Sequence, residues 1–309
     1  MMRIFYAAAL VLCLAGFTQA QLVVDNDLGS LGAGTVNLSG DTSTAGSEVD
    51  YYITGAATAN WGNEILYEFD IAENFLFNLT SNSVTGDPDF FLLNGLTVST
   101  DGAGKVVADE TIANYFLDGA APDTGTPTFI TAGTYWVSAT TFHGFDGATT
   151  PADAIFDIDM SLEAVTTPSA IDLGVIGEDT EDFSIDTFGT GFDTELALFS
   201  SDGLLLDSND DAGTGTQSEL LISSLAEGTY FLAVGEFNSI FGDGFVATTT
   251  ATVGGDYTLN YNGETAAGTL AGGTVDFYSF DIVTAVPEPT SAGLLGLAVM
   301  GLVGMRRRK

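Results

Sequence analysis

Apolar and polar residues alternate in short blocks along most of this chain. Ile65, Tyr67, Phe69 and Ile71 fall on one side with Glu68 and Asp70 on the other, and Phe75, Phe77 and Leu79 repeat the pattern beyond Glu73-Asn74. A period of two marks a strand with one buried face, so these blocks predict two strands joined as a hairpin. Further strands are expected at 134–139, at 156–162 with Asp157, Asp159 and Ser161 facing outward, and at 257–261. Between the two chain ends no long segment carries a helical period. The predicted class is therefore all-β, as two tandem antiparallel β-sandwich (jelly-roll-like) domains.

Two domains are expected because short elements recur. The first half contains Asp27-Leu28-Gly29, then Asp89-Phe90-Phe91-Leu92-Leu93, then AGTYWVSATTFHGF from Ala132 and FDIDMSLE from Phe156. The second half contains Asp172-Leu173-Gly174, then Asp193-Thr194-Glu195-Leu196-Ala197-Leu198-Phe199, then EGTYFLAVGEFNSIF from Glu227 and DYTLNYNGE from Asp256. This order places one domain at 21–165 and the next at 166–285, with the join near Thr166-Thr167-Pro168-Ser169.

The ends follow other rules. Residues 1–20 set Arg3 before an apolar run and finish at Ala20, the layout of a secretory signal peptide cut by signal peptidase. The apolar run is shorter than the roughly 20 residues that span a bilayer. Cys13 belongs to that run, leaving the mature region without cysteine and so without disulfides. At 286–309, Val286-Pro287-Glu288-Pro289 precedes an apolar stretch from Ala292 to Met305 and the basic tail Arg306, Arg307, Arg308, Lys309. Basic residues after an apolar helix hold that end in the cytoplasm, so a short transmembrane helix tethers the body outside. This arrangement resembles the PEP-CTERM sorting domain. The resemblance implies processing by an exosortase, a membrane cysteine protease of Gram-negative bacteria that make extracellular polysaccharide. It implies an exported protein, tethered to the inner membrane and then delivered to the cell surface or its surroundings.

Charge narrows the partners. The chain has 42 acidic and 6 basic residues, and Lys105 is the one Lys or Arg between the two ends. Such a body repels nucleic acid and anionic lipid and attracts cations. With 45% hydrophobic and 11% aromatic residues it nonetheless has the material for a folded core. The second half, through DTELALFSSDGLLLDSNDDAG and EGTYFLAV, resembles the bacterial pre-peptidase C-terminal (PPC) domain, and the first half is a divergent copy without the Asn-Asp-Asp element. The resemblance implies a non-catalytic accessory module for adhesion or matrix binding, in some members with calcium.

One constellation carries candidate chemistry. Asp207, Asn209, Asp210 and Asp211 crowd one loop, and Asp193 joins them if 196–199 and 204–206 pair across Ser201-Asp202-Gly203. Several hard oxygens suit calcium, which takes six to eight; the alternative is a solvated turn capped by its own side chains. Ala212 and Ser218 occupy the sixth and twelfth positions, so the loop is not an EF-hand. No catalytic residues are legible: His143 is the sole histidine, and no nucleophile elbow accompanies it. Trp61, Trp136, Tyr51, Tyr52 and Tyr135 read mainly as strand packing, with a sugar-stacking platform as the alternative. The expected function is a non-enzymatic surface or extracellular-matrix protein; the alternative is a calcium-dependent module binding extracellular polysaccharide.

Overall fold

The computed structural model describes residues 22–45, 51–52, 63–100, 106–108, 110–117, 123–141, 154–179, 182–212 and 215–284. The signal peptide, Trp61, His143, the sorting motif, the apolar stretch and the basic tail lie outside them. The chain divides into two compact units at Ala164/Val165. Each is all-β, and among the described residues no helix is long and apolar enough to cross a membrane.

The first unit contains β1 (Asn26–Leu31), β2 (Gly34–Asp41), β3 (Tyr51–Tyr52), β4 (Ile65–Ile71), β5 (Phe75–Thr85), β6 (Pro88–Leu93), β7 (Val98–Thr100), β8 (Val106–Ala108), β9 (Thr111–Phe116), β10 (Thr128–Ile130), β11 (Gly133–Thr141) and β12 (Ile155–Ala164). Its two main sheets have the orders β1-β4-β11-β6-β9 and β10-β5-β12-β2. Phe69, Phe75, Phe77, Leu79, Phe90, Val137, Phe156 and Met160 form the core between them. The alternation of β4 and β5 is as the sequence predicts, but the two strands are not a hairpin. They belong to different sheets, so the Glu73-Asn74 turn carries the chain across the sandwich. A small third sheet, β3-β8-β7, covers the far side of the first, where Tyr52 stacks on Phe91 at 3.9 Å. That cover explains why all six residues of β6 are buried.

The second unit contains β13 (Ile171–Glu178), β14 (Asp182–Asp186), β15 (Thr194–Ser200), β16 (Leu205–Asn209), β17 (Glu219–Ser223), β18 (Gly228–Glu236), β19 (Ser239–Gly242), β20 (Val246–Thr249), β21 (Gly254–Tyr261), β22 (Glu264–Ala271) and β23 (Asp276–Val283). The main sheets run β13-β23-β18-β15-β16 and β17-β14-β21-β22. Ile185, Leu196, Leu232, Leu259, Tyr278 and Phe280 pack between them. The hairpin of β19 and β20 covers the outer face, setting Phe241 and Phe245 on Phe199 and Phe231. At the β21–β22 turn, Asn262 and Gly263 both have positive φ, the conformation of a tight two-residue hairpin turn.

The registers show that the units are permuted copies. β11 and β18 match through Gly-Thr-Tyr: Tyr135 and Tyr230 each donate a hydroxyl to the carbonyl four residues earlier, at 2.9 Å. The Thr134 hydroxyl meets Asp70 at 2.6 Å, and that of Thr229 meets Asp281 at 2.7 Å. Tyr67-Glu68-Phe69-Asp70-Ile71 of β4 therefore corresponds to Tyr278-Ser279-Phe280-Asp281-Ile282 of β23. β1 and β13 run parallel to these strands in the same place, departing from the wholly antiparallel expectation. Both bend at an Asp-x-Gly turn in which the glycine N–H meets the Asp carboxylate at 2.8 Å, with the glycine at positive φ. β2 and β22 likewise hold the same edge position, beside β12 and β21. The pair β2, β4 thus lies near the start of the first unit, whereas its counterpart β22, β23 closes the second.

Candidate metal centre

The β15–β16 pairing predicted from the sequence is present, with Leu196 opposite Asn209 and Phe199 opposite Leu205. Asp193 immediately precedes β15, and Asp210 and Asp211 immediately follow β16. An antiparallel pair returns the end of one strand to the start of the other, so the three acids converge: each has a carboxylate oxygen within 4.8 Å of the others. Their loop is pinned by backbone bonds from Thr194 N–H to the Thr216 carbonyl at 3.1 Å and from Ala212 N–H to the Gln217 carbonyl at 3.0 Å. The Ser218 hydroxyl donates to the Asp210 carbonyl at 2.6 Å.

Not every predicted ligand joins this group. Asp207 is exposed on β16 and accepts a hydrogen bond from the Ser208 N–H at 2.9 Å. Asn209 accepts one from the Glu219 N–H at 3.1 Å through its side-chain oxygen, which ties β16 to β17. These two residues shape the loop, while Asp193, Asp210 and Asp211 form the cluster.

The electrostatics of the cluster are unfavourable as it stands. Oδ1 of Asp193 is buried with no hydrogen-bond partner, although a buried polar oxygen is normally satisfied. Desolvation, followed by the charges of Asp210, Asp211 and Glu236, raises the Asp193 carboxyl above its usual range. Residues 165–284 contain no Lys, Arg or His to offset them. Hard carboxylate oxygens converging without a basic neighbour fit a divalent cation such as calcium.

The sequence reading missed Glu195. It occupies what looks like an outward position of β15, yet the β19–β20 hairpin covers that face and leaves it 8% exposed. Burial, then the charge of Asp210, pushes its carboxyl up to about 7, with the N–H groups of Asn238 and Ser239 opposing and Asp193 adding to the rise. The Asn238 N–H reaches Oε1 at 2.9 Å. Glu195 also lines an open pocket of about 270 Å³ with Asn209, Asp210, Ser239 and Phe241. Phe241 and Phe245, set on either side of Gly242-Asp243-Gly244, were the available signal for the covering hairpin.

Comparison of the units isolates what is special to the second. The pairings place Asp87 and Asp89 where the second unit has Asp193 and Glu195. They place Tyr115 and Phe116 where it has Asn209 and Asp210, and Leu117 follows where Asp211 stands. The first unit therefore keeps the acids at the start of the strand and fills the opposite positions with hydrophobic side chains. Of the aromatic residues read as a sugar platform, Tyr52 and Tyr135 are buried, and Trp136 is half-buried with its indole N–H on Glu68 at 2.7 Å.

The fold defines an all-β protein of two sandwich units, and the tail defines its sorting class. A family model described as the PEP-CTERM protein-sorting motif matches residues 285–309. No curated protein matches. Among solved structures, the full extracellular region of zebrafish Gpr126/Adgrg6 is similar at 11% identity and a TM-score of 0.23, over 84% of this chain and 37% of that one.

Proposed function

We propose that this chain is a non-enzymatic protein of the cell surface or extracellular matrix, exported through its signal peptide, tethered by its C-terminal helix and released or attached by an exosortase. The match of 285–309 to the PEP-CTERM protein-sorting motif carries this reading. On it, the two sandwiches are cargo, and both are PPC-like modules. Deleting residues 285–309 should shift the protein from the envelope to another fraction and abolish the processed mass. Unchanged localisation together with unchanged mass overturns the reading.

A second reading is that the second unit binds calcium through Asp193, Asp210 and Asp211 and uses it to hold extracellular polysaccharide. The buried, partnerless Asp193 oxygen favours it, because a cation would satisfy that atom and relieve the mutual repulsion. Thermal unfolding with calcium and then with chelator tests the ion, since a ligand that binds only the folded state stabilises it. A glycan array with and without chelator tests the polysaccharide.

A further inference from the structure

The outermost strand of a sheet carries a row of unpaired backbone groups, which invites other chains unless something blunts it. Here most such edges are blunted. Among the outer strands of the four main sheets, β1, β9, β13 and β16 are each interrupted by a register shift, β10 has three residues and β17 has five. Only β2 and β22, which hold the same place in the two units, pair with their neighbours over eight residues without a break.

These two differ in what meets the outer side. The Thr42 N–H bonds the Ala154 carbonyl, so the even-numbered residues of β2 turn their backbone groups to β12 and the odd-numbered ones turn theirs outward. The outward Ser39 carbonyl is taken by the Tyr67 hydroxyl at 3.0 Å. Tyr278, the counterpart of Tyr67, pairs its hydroxyl with that of Tyr257 at 2.7 Å instead. In β22 the two-residue turn Asn262-Gly263 is closed by Tyr261 and Glu264, which sets the even-numbered residues on β21. Thr265, Ala267 and Thr269 therefore turn both N–H and C=O outward, and among the described residues nothing meets these groups. Their side chains are exposed as well.

The open edge is uncharged. No Asp or Glu occurs from Thr265 to Gly273, in a chain with 42 acidic residues. A basic partner would gain more from the carboxylates elsewhere. An uncharged edge suits a partner as acidic as this chain, which the rest of the surface repels. The edge also complements itself. A two-fold axis through Ala267 sets Thr265 opposite Thr269, Ala267 opposite its own copy and Glu264 opposite Leu270, so no carboxylate of β22 faces another. The outward groups of Thr265, Ala267 and Thr269 then exchange about six backbone hydrogen bonds.

We propose that β22 is an interface between two copies of this chain, joined antiparallel and edge to edge about Ala267, so that the sheet β17-β14-β21-β22 continues into its copy in the partner.

The test uses the protein as recovered from its producing cell. In chelator and at raised salt, which screens the acidic bodies, sedimentation should show a concentration-dependent dimer. Ala267→Glu sets two carboxylates face to face and should abolish it, and Ala267→Pro, which removes an outward N–H and no bond within the sheet, should do the same. Ala267→Cys should cross-link on mild oxidation, because directly paired residues lie about 5.5 Å apart at Cα, within disulfide reach. Cys13, the sole native cysteine, belongs to the predicted signal peptide. Thr258→Cys, opposite Ala267 on β21, should not cross-link, since three strand spacings keep the two copies about 14 Å apart. A wild-type protein that stays monomeric at every concentration, a dimer that survives Ala267→Glu, or cross-linking of Thr258→Cys equal to that of Ala267→Cys overturns the interface. Unfolding temperatures confirm that the variants fold; where Ala267→Pro does not, Ala267→Glu and the two cysteine variants decide the matter.

Discussion

Replacing Glu195 by Gln tests whether this buried acid weakens the second unit. Its carboxyl titrates at about 7 in the fold and at an ordinary 4.5 otherwise. A folded-state value above the unfolded one means that the native state holds the proton more tightly. Below pH 4.5 both states are protonated and the acid carries no electrostatic penalty. As pH rises from 4.5 to 7 the unfolded chain ionises first, stability falls, and above 7 the full penalty is present. A shift of this size corresponds to about 3 kcal/mol at roughly 1.36 kcal/mol per pH unit, and solvent screening at the open pocket brings it nearer to about 2 kcal/mol. Gln keeps the oxygen that accepts the Asn238 N–H and removes the charge. In chelator, Glu195→Gln should match wild type at about pH 4.5 and exceed it by about 2 kcal/mol at about pH 8, measured by urea unfolding. An effect independent of pH, or one that shrinks as pH rises, refutes the reasoning.

Other expectations follow from the same structure. On the calcium reading, wild type should gain about 2.7 kcal/mol at roughly a hundred times the dissociation constant, and the pair Asp210→Asn, Asp211→Asn should erase that gain. A calorimetric shift retained in that double variant removes the cation from this loop. Phe69→Ala and Phe280→Ala empty equivalent core positions and should each cost about 3–5 kcal/mol, the first in the first unit and the second in the second. Limited proteolysis with mass mapping distinguishes them, and cleavage confined to the same unit in both variants contradicts the equivalence of β4 and β23.

Much of the fold was legible because one-sided burial writes itself into alternation. The outward Asp157, Asp159 and Ser161 of β12 and the inward Phe69 and Ile71 of β4 illustrate it. Legibility failed where a sheet is covered twice. Phe90-Phe91-Leu92-Leu93 shows an unbroken apolar run because β3, β7 and β8 lie over it, and Glu195 looks exposed until β19 and β20 are placed. The β4–β5 hairpin was inferred from nearness in sequence, whereas the need to close a two-sheet core sends the chain across instead. At the candidate site, the convergence of Asp193 with Asp210 and Asp211 could be read from one strand pairing. The separate duties of Asp207 and Asn209 could not, since they depend on where single side chains find backbone N–H groups. The permutation was hidden because the short repeated elements keep their order, and only the pair β2, β4, matched by β22, β23, changes place.

That change of place sets a timetable. In the first unit β1 meets its partner β4 after roughly forty residues, a loop whose closure is modest in entropy. In the second, β13 waits about a hundred residues for β23. A chain synthesised from its N-terminus can finish the first sandwich while the second is still arriving. The second cannot close its sheet until the residues just ahead of the sorting tail have emerged. The second sheet is thus completed only by the strand that abuts the sorting motif.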